Sequence, residues 1–144
     1  IFIFIDFGHR DIFRYNLDAD SVERWFIRFT NTVFIRGMDT YNNMLYVLTD
    51  ATRGNLLRYS YNGEFIDAMD FPFESVYITI HNGILYIMDY PDHIRRFDLA
   101  TKTFLPSIQA PTILGDGIKI SEGYFYFCDL RKRLVGRVPI EDIE

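Results

Sequence analysis

Apolar residues run in short stretches along the whole chain, alternating with polar ones or standing four or five together, and Asn, Asp and Gly pairs separate the stretches. Segments of this length and pattern predict β-strands rather than helices. One strand word recurs. Leu45-Tyr46-Val47-Leu48 returns as Leu85-Tyr86-Ile87-Met88 and again as Phe125-Tyr126-Phe127-Cys128, each 40 residues on. Ahead of the copies stand Asn42-Asn43, Asn82-Gly83 and Glu122-Gly123, pairs of a kind that tolerates the positive φ angles of a two-residue hairpin. Each pair predicts an antiparallel hairpin between two strands, A and B. The opening Phe2-Ile3-Phe4-Ile5-Asp6 reads as the same strand B, 43 residues before the copy at Leu45.

Each strand B ends in or near an aspartate, at Asp6, Asp50, Asp89 and Asp129, and a short polar loop follows. A third strand, C, then carries an apolar-x-Arg-apolar pattern in Ile12-Phe13-Arg14-Tyr15, Leu56-Leu57-Arg58-Tyr59, Ile94-Arg95-Arg96-Phe97 and Val135-Gly136-Arg137-Val138. A second hairpin, clearest at Asn62-Gly63 and looser at Asp18-Ala19 and Ala100-Thr101, leads into strand D over Glu23 to Phe29, Glu64 to Phe71 and Thr103 to Ile108. Val22, Trp25, Phe26 and Phe29 also fit helical spacing behind an Asp20 cap, but alignment of the repeats favours a strand there. Four short strands in about 40 residues, joined as a meander and repeated, predict an all-β fold of four-stranded antiparallel β-propeller blades. An immunoglobulin-like sandwich has similar turn spacing without repeating one strand word.

The units fall at about 1–32, 33–73, 74–114 and 115–144, a single propeller segment over residues 1–144. The strand order is B-C-D, A-B-C-D, A-B-C-D, A-B-C. The first unit thus lacks an inner strand and the last an outer one, which no single strand exchange repairs. The expectation is a part of a larger ring with further blades in the same or another chain; a four-bladed ring is the alternative. The start at Ile1, without Met or a signal-like segment, fits a processed or partial chain.

The stretch Asp6-Phe7-Gly8-His9-Arg10-Asp11-Ile12-Phe13-Arg14-Tyr15-Asn16-Leu17-Asp18 resembles the YWTD repeat of low-density-lipoprotein-receptor-type propellers. Leu45-Tyr46, Thr49-Asp50 and Arg58 with Asn62-Gly63 repeat the resemblance with one inserted residue, and the third and fourth units are equally similar to NHL and lactonase-like propellers. The resemblance implies a six-bladed ring and a protein-interaction role.

Composition agrees with strands. Phe, Tyr and Trp number 25 and Ile 18 against five Ala, and these are residues that pack on pleated surfaces. A net charge of −5 argues against a nucleic-acid partner, which needs clustered cations across a broad face. No uninterrupted apolar run exceeds five residues, as from Ile1 to Ile5, so no membrane-spanning segment is expected. Cys128 is the only cysteine and no Asn-x-Ser/Thr site is present, which leans towards a reducing compartment or a bacterial source.

Candidate chemistry gathers in the B–C loops, Gly8 to Asp11, Ala51 to Asn55, Tyr90 to His93 and Leu130 to Arg133, which open with the D–A loops on one end of the blades. Arg10, Arg53, Arg131, Lys132 and Arg133 concentrate positive charge there, and His9, Tyr90, Asp92 and His93 add polar and aromatic tips. Loops of this kind suit a protein partner, an acidic one in particular. The leading expectation is a non-catalytic binding module without a cofactor. The alternatives are a lactonase- or lyase-like enzyme with a central metal such as Ca²⁺, for which Asp92, Asp116 and Glu74 lie on loops, and a glycan- or small-ligand-binding propeller. The repeated Asp and Arg are expected to pair structurally between strands B and C. Cys128 reads as a small core hydrophobe, His81 as a surface residue, and His9, His81 and His93 lack the spacing of a local metal site.

Overall fold

The computed structural model describes residues 2–6, 11–28, 34–53, 55–71, 77–89, 91–112, 114–129 and 131–144, with the backbone alone at 2–6, 23–28, 114 and 116. Among the described residues, fourteen strands form four antiparallel sheets. The first sheet runs β1 (Phe2–Asp6), β2 (Asp11–Asn16), β3 (Ser21–Arg28). The second runs β4 (Ile35–Tyr41), β5 (Met44–Thr49), β6 (Leu56–Ser60), β7 (Phe65–Met69). The third is β8 (Ile78–His81), β9 (Ile84–Asp89), β10 (His93–Asp98), β11 (Thr103–Gln109), and the fourth is β12 (Leu114–Ser121), β13 (Tyr124–Asp129), β14 (Leu134–Pro139). Every sheet is a meander in chain order, the topology of a propeller blade. The segment with competing helical spacing is a strand, β3, paired with β2.

The A–B turns have the geometry their residues favour. Asn42 and Asn43 have φ of 48° and 57°, Asn82 and Gly83 49° and 78°, Glu122 and Gly123 51° and 78°. Both central residues are left-handed, as the twist of a two-residue hairpin requires. At the C–D turns a side-chain oxygen at the end of strand C receives backbone N–H groups. Asn16 Oδ1 accepts from Asp18 N at 3.0 Å, Ser60 Oγ from Glu64 N at 3.2 Å, and Asp98 Oδ1 from Ala100 N at 2.8 Å.

Strand B divides its side chains between two cores. Leu45 and Val47 lie in a cluster with Ile12 of the first blade, while Tyr46 and Leu48 lie in one with Ile78 and Ile87 of the third. Likewise Tyr86 and Met88 meet Phe125 and Phe127 of the fourth blade. The core therefore sits between blades. A buried tyrosine needs a partner for its hydroxyl: Tyr86 Oη donates to Glu144, and the arginine of strand C stands across from each strand-B tyrosine, Arg58 opposite Tyr46, Arg96 opposite Tyr86 and Arg137 opposite Tyr126. Burial, and next the hydrogen bond to Glu144, push the Tyr86 hydroxyl well up.

In the second and fourth blades other contacts replace the expected Asp–Arg pairing across strands B and C, while Asp6 of the first blade is described in backbone only. Arg58 instead makes a two-pronged contact to Asp67 on β7, at 2.9 and 2.6 Å. With Arg58 opposite Tyr46, Asp50 lies four residues further along β5, ~13 Å at strand rise, beyond a guanidinium's reach. The third blade keeps a pair across strands B and C, Asp89 on β9 with Arg95 on β10 at 2.6 Å, one residue before the repeat's Arg96. Asp50 and Asp129 tie the strand ends to neighbouring loops. Asp50 Oδ1 accepts from Phe34 N at 2.8 Å, and Asp129 accepts from Thr112 Oγ1 at 2.6 Å and Lys132 N at 2.9 Å. The Thr112 hydroxyl first, then the Lys132 backbone, hold the Asp129 carboxyl below its ordinary range.

The inner strands are joined by a polar column. Asp39 on β4, Thr79 on β8 and Lys119 on β12 occupy one repeat position, 40 residues apart. The buried Asp39 carboxylate accepts from Thr79 Oγ1 at 3.0 Å, Ile80 N at 2.7 Å, Thr40 N at 2.8 Å and Lys119 Nζ at 2.6 Å. Thr79 Oγ1 in turn accepts from Ile120 N at 3.1 Å. One carboxylate thus links three blades.

Three expectations follow from these contacts. Gly83→Val should cost at least ~1 kcal/mol in urea unfolding, because a β-branched residue is strained at φ of 78°. Asp39→Ala should cost about 3 kcal/mol, whereas Lys119→Met, at a half-exposed cation, should cost less than half of that; equal losses would show that the carboxylate is not the hub. Because Asp129 is depressed in the folded state, its contribution is present above about pH 4 and is lost as pH falls through its lower folded value. Thr112→Val should therefore lose less urea resistance than the parent between about pH 6 and about pH 3.

Candidate functional site

All B–C loops follow strand B and so leave the sheets at the same end, together with the D–A loops. Of the residues expected there, His9, Arg10 and Tyr90 lie outside the described residues. Arg53, on the loop between β5 and β6, is exposed. His93 is exposed and its Nδ1 lies 2.8 Å from Oδ1 of the half-buried Asp92. Arg131, Lys132 and Arg133, between β13 and β14, are all exposed. Asp129 binds the Lys132 N–H and Arg133 takes φ of 53°, so the loop backbone is fixed while its three cations stay in water.

The loops are braced against the adjoining D–A segments. In the second blade the buried Asn55 amide donates from Nδ2 to Phe71 O at 2.8 Å and accepts from Phe71 N at 2.6 Å. In the third, Asp92 O accepts from Ala110 N at 2.7 Å and Gln109 Nε2 at 3.0 Å. In the fourth, Thr112 and Asp129 do the same work. Each brace uses a different residue at its own blade, so the structural load falls on side chains other than the charged tips. The structure brings Asp92 and His93 together directly; Arg53 and the 131–133 cluster belong to different blades.

Sequence reasoning missed the column of Asp39, Thr79 and Lys119 and the Asn55 bracket. The column was within reach of the repeat, since each member stands six residues ahead of its strand-B word at Leu45, Leu85 or Phe125. Asn55 has a counterpart in the first unit, the buried Asp11, which precedes Ile12 as Asn55 precedes Leu56. Cys128 is half-buried rather than a core residue, because its face of β13 points away from the third blade. His81 is half-buried at a turn, with Asn82 Nδ2 donating to its Nε2 at 3.0 Å. Asp116 is described in backbone only and Glu74 lies outside the described residues. Among the described residues, no three His, Cys, Asp or Glu side chains are grouped to hold a metal ion, and no helix is long and apolar enough to cross a membrane.

No protein-family profile and no curated protein matches the chain. Solved structures do. The glutaminyl cyclase of Myxococcus xanthus superposes with a TM-score of 0.70 at 18% identity, over 93% of this chain and 60% of its own. A chain of the mitotic checkpoint complex gives 0.55 at 12% identity, over 90% of this chain and 44% of its own. The hydrazine synthase of Kuenenia stuttgartiensis gives 0.56 at 14% identity, over 94% and 41%. The chain thus spans 60% or less of the length of the structures it resembles. At these identities the likeness is one of fold, and with the four meander sheets it establishes an all-β propeller architecture of about four blades.

Proposed function

We propose that the chain is a non-catalytic propeller module of the YWTD or NHL kind, and that its B–C and D–A loop end recognises an acidic protein partner. The observation that carries this reading is the run Arg131, Lys132, Arg133, three exposed cations on one loop whose backbone is fixed by Asp129. A fixed loop presents charge without the ordering cost that a floppy one incurs on binding. Arg53 and His93, exposed on the corresponding loops of other blades, extend the same surface. Against a net charge of −5, a local concentration of positive charge steers an acidic surface to one end of the molecule.

The test is a triple variant, Arg131→Ser, Lys132→Ser and Arg133→Asn, with Asn chosen because Arg133 takes a left-handed φ of 53° that it tolerates. Folding should be unchanged, since exposed charges contribute little to stability. Binding to an immobilised Glu- and Asp-rich peptide panel should weaken by about tenfold or more, mainly through a slower on-rate, and the dependence on salt should flatten. The same rate and salt slope in the variant would overturn the reading.

A further inference from the structure

Among the described residues of the second and third blades, the exposed large hydrophobic side chains are Tyr61, Phe65, Ile66, Phe104 and Phe34. The first four sit in a C–D turn or just after one, at the starts of β7 and β11. Phe34 stands at the opposite end, in the D–A segment that leads into β4. It is 51% exposed. The second blade is packed on both of its faces, against the first blade and the third, so further blades of a ring would stack elsewhere and leave this end as it is.

The ring is held in place rather than left loose. Phe34 N donates to Asp50 Oδ1 at 2.8 Å and Asp50 N donates to Phe34 O at 3.0 Å, so both backbone polar groups of Phe34 are tied to the residue that follows β5. The other oxygen of that carboxylate lies 3.8 Å from Arg36 Nη2, too long for a hydrogen bond, and the Arg36 side chain is 47% exposed. Arg53, on the loop that Asp50 opens, is exposed as well. This end of the second blade therefore combines an apolar ring with two guanidinium groups and one carboxylate that is already engaged.

A phenyl ring has two rotatable side-chain bonds, and with its backbone tied it offers contact area at little ordering cost. The cations of the same blade favour carboxylates next to that contact. The brace itself does not call for an aromatic residue: in the fourth blade the corresponding strand-B aspartate, Asp129, ties down a threonine, Thr112. We propose that Phe34, with Arg36 and Arg53, is an anchor site for an acidic segment of a partner protein that carries an apolar side chain, leucine or aromatic, beside its carboxylates. The proposal rests on the loop-end reading above and deepens it: charge brings acidic segments to this end, and the ring selects among them.

The test is titration by fluorescence anisotropy with three labelled peptides of one length: a Glu- and Asp-rich peptide, the same peptide with its central residue replaced by Leu, and the Leu peptide with every carboxylate replaced by an amide. The second should bind the parent about tenfold or more tighter than either of the others. Phe34→Ser should bring the second peptide down to the level of the first with the salt slope unchanged, Phe34→Leu should keep most of the preference, and the thermal midpoint should hold in both. Photo-leucine at the central position gives a readout that needs no variant to fold, and it should label the 34–36 segment of the parent. Equal binding of the first two peptides, a preference that survives Phe34→Ser, or labelling confined to other segments would overturn the proposal and leave the charge-steered reading standing. The amide peptide binding as tightly as the acidic Leu peptide, or none of the three binding, would overturn both.

Discussion

Leu45 and Val47 turn towards the first blade, and Tyr46 and Leu48 towards the third, so the second sheet is apolar on both sides. A sheet of this kind has no face to give to water. Each fully buried side chain among these is worth about 1.5–3 kcal/mol relative to exposure, and that gain exists only when a neighbouring blade supplies the other wall. A blade alone leaves both walls open; stacked in series, each interior blade closes two. The remainder of the structure accommodates this requirement. Gly136 stands opposite Phe127 where a Cβ would lie 2.5 Å from the ring, so the ring takes the space that a strand-C side chain would fill. The arginine opposite each buried tyrosine lies in the tyrosine's own blade, Arg58 across from Tyr46 and Arg96 across from Tyr86.

The polar groups that brace the B–C loops are separate from the charged residues at their tips. Asn55, Asp92 and Asp129 hold B–C loops to the segments beside them through backbone groups and a threonine hydroxyl. Arg53, Arg131, Lys132 and Arg133 take no part in those braces. A loop built this way can change its tips without disturbing its frame.

The blade pattern was legible because two-residue turns have demanding chemistry: Asn82-Gly83 and Glu122-Gly123 fix both where a hairpin reverses and which residues face each other across it. The 40-residue step then aligned strands with no turn signal of their own. The arginine partners were not legible. Spacing along the chain placed Arg58 near Asp50, but register placed it opposite Tyr46 and within reach of Asp67 on the following strand. Such a choice depends on side-chain reach across a ladder, which no one-dimensional pattern records. The loop tips were legible as charge and as location, and nothing in one sequence shows which blades bring their tips to a common ligand.

Units that share a strand word carry a hazard of their own: in folding, one blade's word fits another blade's place, and mispaired or swapped arrangements compete with the correct one. The Leu-Tyr words do nothing to prevent this, since they are almost interchangeable. Asp39, Thr79 and Lys119 differ in chemistry at a single repeat position, and their hydrogen bonds run in one direction, with Thr79 donating to Asp39 and accepting from Ile120 N. Exchanging two of these inner strands would bring Lys119 where a hydroxyl is needed, or leave a buried carboxylate without its donors. The column therefore acts as a written order of assembly, telling the second, third and fourth blades apart where their apolar faces cannot.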